Sequence, residues 1–516
     1  MSLASSANKL QNVTVTAENG SVTIVSGNDV GNALNVHANG TVGGTLSITN
    51  ADDGVYNGVN NAIVIENNLL ANGNITITNE EAGIELGKNV GITSQNGGYI
   101  ALNGAGDIIN NATITAGTDV KMSSTTGDIK TTGTIEAGKD VDLSSTEGDV
   151  NNSSTIEANN NVNISADAGA ISNSGSVTVE AGNIVLTSDK GITSTGEGAL
   201  LKTESLNGSI SAATTHGEVN ISEIIAGDTA SASSQNGSVI IGSVSGNDVV
   251  LSSGASSSGG SGDGSEGSSE GGSVVTSPSI KVGTATVDNS LKLQGDNISV
   301  DNVERSSAAG TGALTVDVNG ADGAGTAVKN DLVLNIDGDV VFDNLNVTDA
   351  NVTASGNIDV NKLRVEGEGK TTLVSNKKNE NDEGTTITVV GKDVPPEQVG
   401  NDVIRDTGSE GDTWLNIKMD EEGSKITVVD DAGRDVNSKD YPAQMSAKLV
   451  DYDPYDTYLE HYADMADIFS RSYLIDTPER FSSDILFPAQ GGRVVLKQDA
   501  NGLHLEIVEE QSEQEA

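Results

Sequence analysis

Thr113-Ile-Thr-Ala-Gly-Thr-Asp-Val-Lys-Met-Ser-Ser-Thr-Thr-Gly-Asp-Ile129 is followed, 21 residues on, by Thr134-Ile-Glu-Ala-Gly-Lys-Asp-Val-Asp-Leu-Ser-Ser-Thr-Glu-Gly-Asp-Val150. A third copy begins at Thr155 and a fainter fourth at Ser176. The columns of this frame keep residue type: Ile114, Ile135, Ile156 and Val177; Val120, Val141 and Val162; Met122, Leu143 and Ile164. A glycine column runs through Gly106, Gly127, Gly148 and Gly169. A strict period this short predicts a solenoid, each copy being one coil stabilised by stacking on its neighbours.

Around these copies, residues from about 10 to 252 read as short β-branched strands punctuated by Asn-Gly, Gly-Asp and Gly-Asn turns. Asn12-Val-Thr-Val-Thr16 and Asn74-Ile-Thr-Ile-Thr78 are examples. Runs of four to six such residues bounded by turn residues mark strands, and frequent glycine argues against helix. Twenty-one residues accommodate three strands and three turns, so the expected fold is an all-β parallel β-helix. At about 4.8 Å per coil, roughly eleven coils would extend on the order of 55 Å. Asn110, Thr131, Asn152 and Asn173 share one further column. Two readings stay open for it: a hydrogen-bonded ladder along the axis, or a solvated turn column.

Composition divides the chain. The solenoid is expected over 1–252, and a Ser/Gly-rich loop or linker over 253–277. A looser continuation follows over 278–376, then a mixed β and irregular segment over 377–440. Of thirteen aromatics, only Tyr56, Tyr99 and Phe342 precede Trp414. Residues 441–516 therefore read as an aromatic-rich C-terminal unit, a small mixed α/β cap. Asp453-Pro454 suits a helix start. Tyr455, Tyr458, Leu459, Tyr462, Met465, Ala466 and Phe469 follow at helical spacing. Arg493-Val-Val-Leu-Lys and Leu503-His-Leu-Glu-Ile-Val predict a hairpin.

There are 27 Lys and Arg against 74 Asp and Glu, a formal net charge of −47. Such a surface repels nucleic acid and anionic lipid, and it discourages side-by-side association. With no cysteine, no disulfide framework and no thiolate chemistry are available. The N-terminus lacks a signal-peptide pattern, and no run reaches the roughly 20 apolar residues that span a bilayer.

Candidate chemistry is sparse. His37, His216, His461 and His504 are scattered, and no cofactor, metal or catalytic set is expected. His461 with Glu460 and Asp464, and the three carboxylates of Asp451-Tyr-Asp-Pro-Tyr-Asp456, read as solvated groups rather than ligands. The turn aspartates recur once per coil, unlike a glycosidase pair set in unequal environments. Seven arginines without a cluster do not suit a lyase of acidic sugars. Thr-x-Thr pairs do not align into an ice-binding array, because Thr115 becomes Glu136 and Glu157 one and two coils on. Trp414, Tyr452, Tyr455, Tyr458 and Tyr462 are the candidate partner-binding residues. The alternative reading makes them the core of a cap over the last coil's open edge.

The coil Thr-Ile-Glu-Ala-Gly-Lys-Asp-Val-Asp-Leu-Ser-Ser-Thr-Glu-Gly-Asp-Val resembles repeats of the filamentous haemagglutinin family, large exported bacterial adhesins. The likeness covers about 60–250, and 279–376 more loosely. Trp414-Leu-Asn-Ile and the segment from Asp451 to Leu474 are similar to distal ends of such exoproteins. The resemblance implies a right-handed parallel β-helix, export through an outer-membrane transporter, and display at the bacterial surface. It also implies adhesion to a host-cell or bacterial receptor or glycan. The family's N-terminal export domain with its Asn-Pro-Asn motif has no counterpart, so the chain is expected to be a C-terminal fragment or split-gene product. A polysaccharide-acting β-helix enzyme and the carrier of an exported toxin are the alternatives.

Overall fold

The computed structural model describes residues 63–254, 278–306 and 313–365 (except 324–325). Shorter described runs are 2–4, 10, 12–15, 17–26, 34–38, 41–51, 370–375, 385–390, 404–405, 415–419, 425–429, 492–499 and 502–509. Contacts divide the chain into two compact units, Met1–Asn247 and Asp248–Ala516. Among the described residues every regular element is a strand, and the strands form a parallel β-solenoid of about 14 turns at roughly 21-residue spacing.

In the first unit most coils contribute three strands, and near its end two of the three merge into Val219–Ile225. One coil consists of Ile129–Thr131, Ile135–Ala137 and Val141–Ser145. Each strand pairs in parallel with its equivalent one coil away: Ile129 with Val150, Ile135 with Ile156, Val141 with Val162. The repeated columns of the sequence are therefore columns in space. Ile114, Ile135, Ile156 and Val177 are fully buried one above another, as are Val120, Val141 and Val162. Alternation in the five-residue strands sends positions one, three and five inward and two and four outward. Each fully buried aliphatic side chain contributes about 1.5–3 kcal/mol relative to exposure, so the narrow core is the main source of cohesion.

Glycine at the corner is required by close approach. A Cβ on Gly148 would lie 2.4 Å from the Gly127 carbonyl oxygen, and one on Gly169 would lie 2.1 Å from that of Gly148. Coils separated by one interstrand spacing leave no room there for a side chain.

The second unit keeps the winding but not the period. Val340–Phe342 pairs with Ile358–Val360, a step of 18 residues, whereas Ala350 pairs with Thr371. Register shifts interrupt several of these ladders. Along one column the parallel ladder also ends here. Lys370–Ser375 pairs in parallel with Ala350–Ala354 on one side and antiparallel with Thr385–Val390 on the other. Thr385–Val390 then pairs antiparallel with Lys425–Val429. Reversing the strand direction ends the parallel ladder along this column and covers the open backbone edge of Lys370–Ser375, whereas Ile358–Val360 still pairs in parallel with Leu415–Ile417.

Of the Ser/Gly segment, residues 255–277 lie outside the described residues, as does the helix expected after Pro454. Gly492–Asp499 and Gly502–Glu509 pair antiparallel, Asp499 opposite Gly502.

Candidate functional site: polar columns of the first unit

Three polar columns run along the first unit. The column left open by the sequence points inward. Asn110, Thr131, Asn152 and Asn173 are 0–3% exposed. Thr131 Oγ1 donates to Asn152 Oδ1 at 2.6 Å, Asn152 Nδ2 to Asn173 Oδ1 at 2.7 Å, and Asn173 Nδ2 to Ser194 Oγ at 2.9 Å. Each asparagine amide spends its second hydrogen on a turn carbonyl, Asn152 on Ser154 and Asn173 on Gly175. The Asn110 amide donates to the Gly133 carbonyl at 3.3 Å. The solvated-turn reading fails because the strand phase that buries Ile129 and Val150 also buries the residue two positions later. Leu86 and Ile221 occupy the same column beyond the polar stretch.

A second column lies at the glycine corner. Ser145 Oγ donates to the Gly127 carbonyl at 2.8 Å and accepts the Gly148 amide at 3.0 Å. Ser124 does the same with Gly106 and Gly127. The hydroxyl thus joins its own turn to the turn one coil back.

The third column holds the turn aspartates. Asp107 Oδ1 accepts the Asp128 amide, Asp128 Oδ1 the Asp149 amide, and Asp149 Oδ1 the Ala170 amide, each at 2.9 Å. On the other rim, Asp140 Oδ1 accepts the Asn161 amide and Asn161 Oδ1 the Asn183 amide, each at 3.0 Å. Stacked carboxylates one interstrand spacing apart repel one another, and the accepted N–H groups offset that cost. Lys130 adds a bridge, 3.0 Å from Asp128 and 3.4 Å from Asp107. Burial alone would push the Asp128 carboxyl up. The Asp149 amide and the hydrogen bond and charge of Lys130 outweigh it and hold the group below the usual carboxylate range. Lys130 is raised above the usual lysine value, first by its hydrogen bond to Asp128. The "acidic turn residue" of the sequence is therefore a structural acceptor.

The outward groups are of ordinary chemistry. The Thr115, Glu136, Glu157 column is confirmed in register, and the row of threonines is broken there. His216 is exposed and pairs through Nδ1 with Asp189 Oδ1 at 2.7 Å. In the second unit a shallow depression is lined by Asp331, Val333, Asp349, Asn351 and Thr372, with Asp331 and Asp349 opposite each other in neighbouring strands. Among the described residues no group of three or more His, Asp or Glu is arranged to hold a metal, and no helix is long and apolar enough to cross a membrane.

Trp414, Tyr452, Tyr455, Tyr458, Tyr462 and His461 lie outside the described residues. The serine latch was not legible beforehand, because Ser144 and Ser145 look alike until strand phase is known. Its signal is the recurring Ser-x-x-Gly-Asp at the corner, present at Ser124 and Ser145. No protein family, curated protein or solved structure matches the chain.

Proposed function

We propose that the chain is a non-catalytic segment of a cell-surface filamentous adhesin of the filamentous haemagglutinin type, its stacked coils acting as a rigid spacer for adhesion. The observation that supports this reading is the use of the repeat's polar groups. The corner serines, turn aspartates and inward asparagines bind the next coil rather than converging on a substrate-sized site. Such a repeat extends a structure by one interstrand spacing per copy, the property a spacer requires. Trp414, Tyr452, Tyr455, Tyr458 and Tyr462 are the proposed partner-binding residues, with a surface receptor or glycan as partner.

The test is binding of the full chain to a glycan array and to host and bacterial cells, alongside a Tyr458→Ala/Tyr462→Ala variant. Saturable binding that the variant loses while its circular dichroism is unchanged supports the reading. Cleavage of a polysaccharide by the full chain, seen as new reducing or unsaturated ends, would overturn it in favour of an enzyme.

A further inference from the structure

The longest sheet of the first unit carries an outward face with few charges. Ten of its strands lie in unbroken parallel register, from Val22–Ser26, Leu46–Asn50, Ile75–Asn79, Ile100–Gly104 and Val120–Ser124 through Val141–Ser145, Val162–Ala166, Ile184–Ser188, Ile210–Thr214 and Thr229–Ser234. Ser2–Ala4 pairs beyond the first and Val239–Ser253 beyond the last. Strand alternation points the second and fourth residues of each five-residue strand outward, for example Thr76 and Thr78, Asn163 and Ser165, or Ser211 and Ala213. In a chain of net charge −47, only Lys121 and Asp142 are charged among the outward residues of these ten strands. Val185, one of three exposed large hydrophobics among the described residues, also stands on this face.

The position of that one charged pair is informative. Lys121 and Asp142 are register partners on adjacent strands, with five of these ten strands on the Val22 side and five on the Thr229 side of the line between them. A two-fold axis along the strand direction on that line superposes all ten strands on the ten of a second copy. It sets each Lys121 over the other copy's Asp142 and each Asp142 over the other copy's Lys121. Every remaining position then meets an uncharged residue. The face is thus self-complementary in the way an isologous dimer demands.

We propose that this sheet face is the contact surface of a homodimer, two copies packed face to face with their coil stacks running in opposite directions. Ten strands at about 4.8 Å and five residues at about 3.3 Å give roughly 790 Å² per copy. The total of roughly 1,600 Å² is close to a standard interface. Hydroxyl, alanine and asparagine side chains let two sheets approach closely, but they bury little apolar surface, so the association is weak. Asp119 and Asp140 border the strand starts, and Glu147 and Asp167 the strand ends. The symmetry brings like rims together, so screening by salt tightens the dimer.

The test is analytical ultracentrifugation of the full chain across a concentration series at fixed salt. Wild type is expected to show a monomer–dimer equilibrium. Lys121→Glu, and separately Asp142→Lys, each place two like-charge pairs at the centre and should weaken it about tenfold. The Lys121→Glu/Asp142→Lys double variant restores opposite charges across the axis and should recover the wild-type constant. Ser165→Arg, outward on the same face, should also shift the equilibrium to monomer with unchanged circular dichroism. A chain that stays monomeric throughout, or a double variant no tighter than the singles, would overturn the proposal. Because adhesion is not read in this assay, the result stands apart from the proposed function.

Discussion

The side-chain amide of Asn152 donates to Oδ1 of Asn173 at 2.7 Å, one coil along the stack, and neither residue is more than 3% exposed. The bond lies in a column that is aliphatic at Leu86 and again at Ile221. A polar column inside an aliphatic core stabilises only while every member keeps its partners. Asn173→Leu should therefore cost about 1–3 kcal/mol, because it strands the Asn152 amide and Ser194 hydroxyl. Adding Thr131→Val and Asn152→Leu removes the stranded Asn152 amide and leaves Ser194 as the one stranded side chain of the column, so the triple variant should lose less than the sum of the singles. Urea-unfolding midpoints followed by circular dichroism test this. Additive losses would mean that the members act independently.

Ser144 and Ser145 are adjacent and chemically identical, yet their environments are opposite. Ser145 is fully buried and holds the Gly127 carbonyl and the Gly148 amide, whereas Ser144 stands on the outer face. Ser145→Ala should destabilise by roughly 1–2 kcal/mol, since two buried backbone groups lose their side-chain partner. Ser144→Ala should stay within about 0.5 kcal/mol of wild type. Equal effects in thermal unfolding would contradict the assigned strand phase.

The corner glycines allow a sharper test. Gly148→Ala would put its Cβ 2.4 Å from the Gly127 carbonyl oxygen, and backbone on both sides must move. A loss of about 1–3 kcal/mol is expected, the range for overpacking a tightly fitted site. Glu147→Ala next to it, on an exposed side chain, should change little. The two variants place alanine at adjacent positions, one gaining a methyl group at the corner and the other losing an exposed side chain, so a denaturation midpoint for each is a direct comparison.

These residues show how much was legible in the sequence. Aliphatic columns and the glycine column fixed a coil because identity at a fixed spacing survives any uncertainty in strand ends. The direction of Asn110, Thr131, Asn152 and Asn173 was not legible, because a polar residue at a strand–turn border suits either side. The corner serines were hidden for the same reason, since a one-residue phase change would exchange Ser144 and Ser145. In the second unit the step of 18 residues between Val340 and Ile358 and of 21 between Ala350 and Thr371 defeats any fixed period. There, paired strands are recognisable only in space. The sparsely charged face of the long sheet was not legible either, because total charge says nothing about which strands carry it.

The turn aspartates give a pH signature with a definite sign. Asp128 is held below the usual carboxylate range, so its folded form favours the ionised state. Its contribution is fully present above the unfolded value of about 4 and is lost as the pH falls through the lowered folded value. Lys130 works in the opposite direction. Raised above the usual lysine value, it contributes below about pH 10.4 and loses that contribution as the pH climbs through its folded value. Both side chains are substantially exposed, 31% and 42%, so the pair itself contributes at most about 1 kcal/mol and less in salt. Asp128→Asn separates the two roles of the carboxylate. Oδ1 can still accept the Asp149 amide, while the charge that Lys130 reads is gone. The expected result is a small loss at neutral pH that vanishes as the pH falls through the lowered value of wild-type Asp128, where that carboxylate is itself neutralised. Asp128→Ala removes the acceptor as well and should be less stable than Asp128→Asn by about 1 kcal/mol. Chemical denaturation of the three proteins from pH 2 to pH 8 would read both differences, and identical curves for the two variants would show that the amide contact contributes nothing.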